Sequence, residues 1–96
     1  YGDALAYLEL AHAANPGDVA VANNLAWLLA TCPEPRYRNG PRALRLARQA
    51  CEATAHKSPP LLDSLAAAYA ETGQFDQAVA TTRQALEIVR SNPKAS

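Results

Sequence analysis

The chain has 96 residues, 49% of them apolar, and nine basic against nine acidic side chains, so its formal net charge is zero. That length holds one small domain or a slice of a repeat array. A neutral chain argues against a nucleic-acid binder, whose affinity rests on a basic excess, and no apolar run is long enough to cross a bilayer as a helix.

Alanine dominates the apolar residues, and it is the best helix former. The breakers are Asn15-Pro16-Gly17, Cys32-Pro33-Glu34-Pro35, Asn39-Gly40-Pro41, Ser58-Pro59-Pro60, Thr72-Gly73 and Asn92-Pro93. Proline ends a helix by losing a donor, and glycine by admitting a left-handed residue. Five segments of helical length lie between them.

The first runs over Gly2–Asn15, with Leu5, Leu8, Ala11 and His12 on one face. The second runs over Asp18–Thr31, with Asp18 as N-cap and Ala22, Leu25, Ala26 and Leu29 in one stripe. The third spans Pro41–Ala55, with proline suited to its first turn and Ala43, Leu46, Ala47, Ala50 and Cys51 inward. The fourth spans Pro59–Glu71, capped by Ser58. The fifth spans Phe75–Arg90, with Ala78, Val79, Thr82, Ala85, Leu86 and Val89 expected inward. No segment alternates with period two, so strands are not expected. Short connections make neighbouring helices antiparallel.

The chain repeats itself. Asn24-Leu25-Ala26-Trp27 reads like Ser64-Leu65-Ala66-Ala67. An alanine recurs seven residues on in three places: Ala4 with Ala11, Ala43 with Ala50, and Ala78 with Ala85. Internal repetition is the mark of a solenoid. The stretch from Leu62 to Ala85 resembles the tetratricopeptide repeat, a helix–turn–helix of about 34 residues. Leu62 stands where that motif often has tryptophan, Leu65-Ala66 is its leucine–small pair, Tyr69 its tyrosine and Gly73-Gln74-Phe75 its turn. Ala78, Thr82 and Ala85 follow at the spacing of its second helix, although Thr82 replaces an aromatic and Arg90 stands where a proline usually closes the repeat.

The resemblance implies an all-α fold of about five helices, antiparallel hairpins stacked as a right-handed α-solenoid. Residues 1–16 are then the second helix of a partial repeat, 19–58 a repeat, 59–92 a regular repeat and 93–96 a tail. Between Cys32 and Ala43 the middle repeat carries about five residues more than the motif. The stretch from Leu25 to Pro33 is similar to repeats common in bacterial proteins. Ala26 and Ala66 are expected at the helix crossings, where a larger side chain would wedge the pair apart. Leu25, Leu65, Tyr69 and Phe75 are expected to fill the space between layers.

The resemblance further implies a scaffold that binds a protein or peptide, with no catalysis, cofactor or metal. By helical spacing and by analogy with the family, the concave face carries Asn23, Asn24, Trp27 and Thr31, continued by Asp63, Ser64, Ala67 and Glu71. An asparagine amide offers donors and an acceptor and so clamps a peptide backbone; asparagine is equally at home in the first turn of a solvated helix. Trp27 is either an anchor for a partner or, as favoured here, packed against the neighbouring repeat. Some members hold a chaperone tail by its carboxylate with lysine and asparagine. This face offers no lysine or arginine and Asp63 would repel a carboxylate, so that ligand is not expected.

His12 and His56 lie far apart, and Asp63 and Ser64 are adjacent on one helix and point apart, so no triad is read from them. Cys32 and Cys51 are expected about 10 Å apart along the helix axes, beyond disulfide reach, and therefore free. The basic stretch Arg36, Arg38, Arg42, Arg45 and Arg48 reads as a solvated face, and the 33–42 insert as a longer turn whose Tyr37 packs onto the hairpin. A slice of solenoid has open ends, with Leu5, Tyr7 or Leu8 bare. The alternative reading is therefore a structural module that forms homo-oligomers through those ends, or a portion of a longer chain.

Overall fold

The computed structural model describes residues 1–91; the expected breaker at Asn92-Pro93 and the tail 93–96 lie outside the described residues. Five α-helices follow one another, α1 (Gly2–Ala14), α2 (Val19–Thr31), α3 (Gly40–Ala53), α4 (Pro59–Glu71) and α5 (Phe75–Ser91), with a 3-10 turn at Pro35–Tyr37 between α2 and α3. Among the described residues there is no strand.

The helix ends follow from local chemistry. The Asp18 carboxylate accepts from the Val21 N–H at 3.2 Å, and the Asn39 side chain accepts from the Arg42 N–H at 3.1 Å, each satisfying an orphan donor of a first turn. Pro41 sits in the first turn of α3, where a missing N–H costs nothing. Ser58 occupies the N-cap of α4, but its hydroxyl makes no cap bond. Gly73, at φ 79°, turns the chain between α4 and α5. The α3–α4 turn does the same with two residues that have a side chain, Ala55 and His56, both at φ 56°.

Each helix packs on its neighbour in the chain, and α2 also packs on α4. The core lies where α2, α3 and α4 meet. Leu25, Ala26, Ala43, Cys51, Leu62 and Ala68 are sealed from solvent there. All five residues expected inward on α3 are buried, as are the four on α2. Alanine at so many of these positions brings the backbones close, which is why the core is thin and wide rather than deep.

The outer helices depart from expectation. On α5 the buried residues are Thr81 and Ala85, with Ala78, Ile88 and Val89 partly covered. Val79, Thr82 and Leu86, expected inward, are exposed. Phe75, expected between layers, is 66% exposed. Two stripes compete on this helix, and the one with the smaller side chains faces α4 because the closer approach favours it. On α1 no residue is fully buried. Leu5 and Leu8 pack against the core, while Tyr7 and Leu10 stand out at 71% and 74% exposure.

The insert is ordered by three helices. The Asn39 N–H donates to the Leu29 carbonyl at 2.8 Å, at the end of α2. Tyr37 lies so close over Gly2 of α1 that a Cβ there would meet its hydroxyl at 2.9 Å. Gly40 is buried against Glu71 and Thr72 at the end of α4. Arg42 forms a two-pronged pair with Glu9 of α1. Tyr37 thus packs down as expected, but onto α1.

Candidate functional site

One candidate surface is built by α2 and α4 together. Their seam is fixed by the Ser64 hydroxyl, which donates to the Asn23 side-chain oxygen and also reaches the Pro60 carbonyl at 3.4 Å. Ser64 is 2% exposed, and this polar bond is what makes its burial tolerable. Of the eight residues expected on the open face, Ser64 is therefore closed off and Asn23 is half-buried with its acceptor engaged.

The rest stand above the seam. Asn24, Trp27 and Thr31 are exposed on α2, and helical geometry sets them within about 60° of one another. Asp63 and Glu71 are exposed on α4, and Ala67 is half-buried between them. Trp27, expected to pack against a neighbouring repeat, is 49% exposed instead. The Thr31 hydroxyl donates to the Trp27 carbonyl at 2.7 Å, a bond within its own helix. Neither α2 nor α4 carries a lysine or arginine. One cation approaches: Arg38 of the insert lies 3.8 Å from Glu71 and softens the acidic end of the surface. The chemistry on offer is the Asn24 amide, an indole face and the Asp63 carboxylate, which enters no ion pair among the described residues.

A second feature was not among the sequence-based expectations. An open groove of about 380 Å³ runs between α4 and α5, lined by Ala66, Ala67, Ala70, Ala78, Val79 and Thr82, with Arg83 at its rim. Its walls are apolar because the outward stripe of α5 borders it. The signal was present as a second i, i+4, i+7, i+11 series, Phe75, Val79, Thr82 and Leu86, which the expected inward stripe partly absorbed.

The remaining titratable and thiol groups are scattered. Cys32 and Cys51 are free and buried. Burial pushes the Cys51 thiol up to about 11, and the thiol lies 3.5 Å from the Leu61 carbonyl. His12 is half-buried on α1 and His56 forms the left-handed turn after α3. Among the described residues no three His, Cys, Asp or Glu side chains gather as a metal site would require. The arginines of the expected basic stretch are largely engaged. Arg36 pairs with Glu34 at 3.0 Å and lies over Tyr37, Arg42 pairs with Glu9, and Arg48 lies over the Tyr69 ring with its centre 5.6 Å away. No helix is long and apolar enough to cross a membrane among the described residues.

Comparison with known proteins adds no neighbour: no protein-family model, curated protein or solved structure matches the chain.

Proposed function

We propose that the chain is a tetratricopeptide-type array, a right-handed stack of antiparallel hairpins that binds an extended peptide or partner segment across the α2–α4 surface and performs no chemistry of its own. The observation that supports this reading is the pairing of α2 with α4, bridged by Ser64 and Asn23, with Asn24, Trp27 and Asp63 exposed on the two paired helices. In an array of hairpins the first helices of successive repeats line one face. An extended chain laid there meets Asn24 as a backbone clamp and Trp27 as an apolar anchor of the kind that dominates binding energy.

The test is a random peptide library displayed on phage, selected against the parent and counter-selected on Trp27→Ala. Synthetic versions of enriched peptides are expected to quench or shift the emission of Trp27, the one tryptophan of the chain. They should lose at least about tenfold in affinity on Trp27→Ala or Asn24→Ala, since an anchor contributes about 2 kcal/mol or more. Peptides that bind parent and variants alike would place the binding surface elsewhere, and a library that yields no binder would remove the reading.

A second reading, assembly with copies of itself, is favoured by a separate observation: the outer faces of α1 and α5 both expose large apolar side chains, Tyr7 and Leu10 on one and Phe75, Val79 and Leu86 on the other. Nothing in it requires the α2–α4 surface.

A further inference from the structure

The exposed stripes of α1 and α5 match each other. On α1, Asp3, Tyr7, Leu10 and Ala14 recur at i, i+4, i+7 and i+11, all exposed. Helical geometry gathers them within about 60°, opposite the Leu5 and Leu8 that face the core. On α5, Phe75, Val79, Thr82 and Leu86 recur at the same four intervals and are likewise exposed. Val79 and Thr82 of this second stripe line the open groove between α4 and α5, and Phe75 and Leu86 continue the stripe along α5 beyond it. Contiguous apolar surface of this kind marks an interaction site.

Charge selects the direction in which two such stripes can meet. Laid parallel, Asp3 would fall beside Phe75 and its neighbour Asp76, two carboxylates together. Laid antiparallel, Asp3 falls beside Leu86, where Arg83 and Arg90 lie one turn away on either side; the one carboxylate there, Glu87, is already paired with Arg90 at 3.9 Å, so the surroundings of Asp3 are net positive. Asp3 and Arg83 enter no ion pair among the described residues, and both are exposed. The antiparallel order then sets Tyr7 against Thr82, Leu10 against Val79 and Ala14 against Phe75.

We propose that copies of this chain associate head to tail, α1 of one seated antiparallel on the α4–α5 groove of the next, with Asp3 paired to Arg83 and Leu10 on Val79. The proposal deepens the self-assembly reading and is independent of the peptide-binding one. The two surfaces in contact are different, so each added copy leaves one free α1 and one free groove. Growth is open-ended unless the rotation closes a ring.

Two single-sided variants test this. Tyr7→Glu with Leu10→Glu blocks α1; Val79→Glu with Leu86→Glu blocks the groove. All four positions are exposed, and circular dichroism checks that each variant keeps its helices. In light scattering across a concentration series, the mean mass of the parent is expected to climb steadily, while each variant alone stays monomeric. Mixed in equal amounts, the two variants should form a dimer and stop there, because only one matched pair of surfaces remains. Asp3→Arg should weaken parent association at least threefold, and adding Arg83→Asp in the same chain should restore it. A parent that stays monomeric throughout removes the proposal and the self-assembly reading together. A parent that associates while the mixture stays monomeric, while either variant still self-associates, or while the double charge reversal fails to restore it, overturns this seating and leaves self-assembly standing.

Discussion

Arg42, in the first turn of α3, holds both carboxylate oxygens of Glu9 on α1, a residue that precedes it by 33 positions. The two hydrogen bonds from the guanidinium hold the Glu9 carboxyl below its ordinary value of 4.5, helped by the charges of Arg42 and His12 and opposed by partial burial. As pH falls, the unfolded chain therefore takes up this proton before the folded one. The stabilisation is complete above the ordinary carboxylate value and fades as pH drops through the lowered one. Glu9→Gln should cost about 1 kcal/mol or less near pH 7, because both side chains are about one-third exposed. The cost should shrink progressively as pH falls below the ordinary carboxylate value, read by urea denaturation at neutral and at acidic pH. An unchanged cost at low pH would detach the effect from the charge on Glu9.

The two alanines that correspond in the internal repeat have different surroundings, and substitution should separate them. Ala26 is fully enclosed, whereas Ala66, at 9% exposure, borders the open groove. Ala26→Leu has no room and should lower stability by about 1–3 kcal/mol. Ala66→Leu can lean into the groove and should cost clearly less. Equal losses in thermal melts would mean that the groove does not accommodate added volume.

Both thiols should be silent in the native state. Cys51 is sealed from solvent, and desolvation raises its value to about 11, so little thiolate exists near pH 8. Cys32 is 2% exposed. A chromogenic disulfide reagent should label neither at a rate above that of unfolding, and should label both at once in denaturant. Rapid labelling of native protein would show that the α3–α4 packing around Cys51 opens readily.

The α3–α4 turn can be improved. Ala55 and His56 both adopt the left-handed conformation, in which a Cβ crowds the following carbonyl at about 1–2 kcal/mol per residue. Ala55→Gly relieves that crowding and gives back roughly 0.5–1 kcal/mol through the greater freedom of the unfolded chain. A net gain of up to about 1 kcal/mol is expected, read as a higher melting midpoint. A lower midpoint would mean that the Ala55 side chain makes a contact worth more than the strain.

The helices were legible because their punctuation is local. Asp18, Asn39-Pro41, Pro59 and Gly73 each act within a few residues, and the α4 bounds coincide with those read from sequence. The stripe of α3 was legible because one face alone is apolar enough to serve, whereas α2 is apolar nearly all round and its stripe was read from the spacing of Ala22, Leu25, Ala26 and Leu29. On α5 two faces qualify, and residue size pointed to the wrong one: Val79 and Leu86 look more like core than Thr81, yet close approach to α4 favours the smaller side chains. The candidate surface was partly legible. Asn24, Trp27 and Asp63 are exposed on α2 and α4, but no spacing rule reveals that Ser64 would turn to Asn23 on another helix, 41 residues away. The fit of the insert against three helices is equally non-local.

The way α1 is attached bears on how the chain comes apart. This helix contributes no fully buried residue. Beyond Leu5 and Leu8, its hold on the rest runs through Tyr37 over Gly2 and Arg42 on Glu9, both supplied by the insert or the turn that follows it. Unfolding should then lose its all-or-none character. Hydrogen exchange at amides of α1 is expected to proceed through a detachment that costs less free energy than global opening, and the amides of α2 and α4 to report the global value. In a chain carrying Tyr37→Ala, the gap between those two free energies should widen while the global one holds. The insert, on this account, governs cooperativity more than it governs stability.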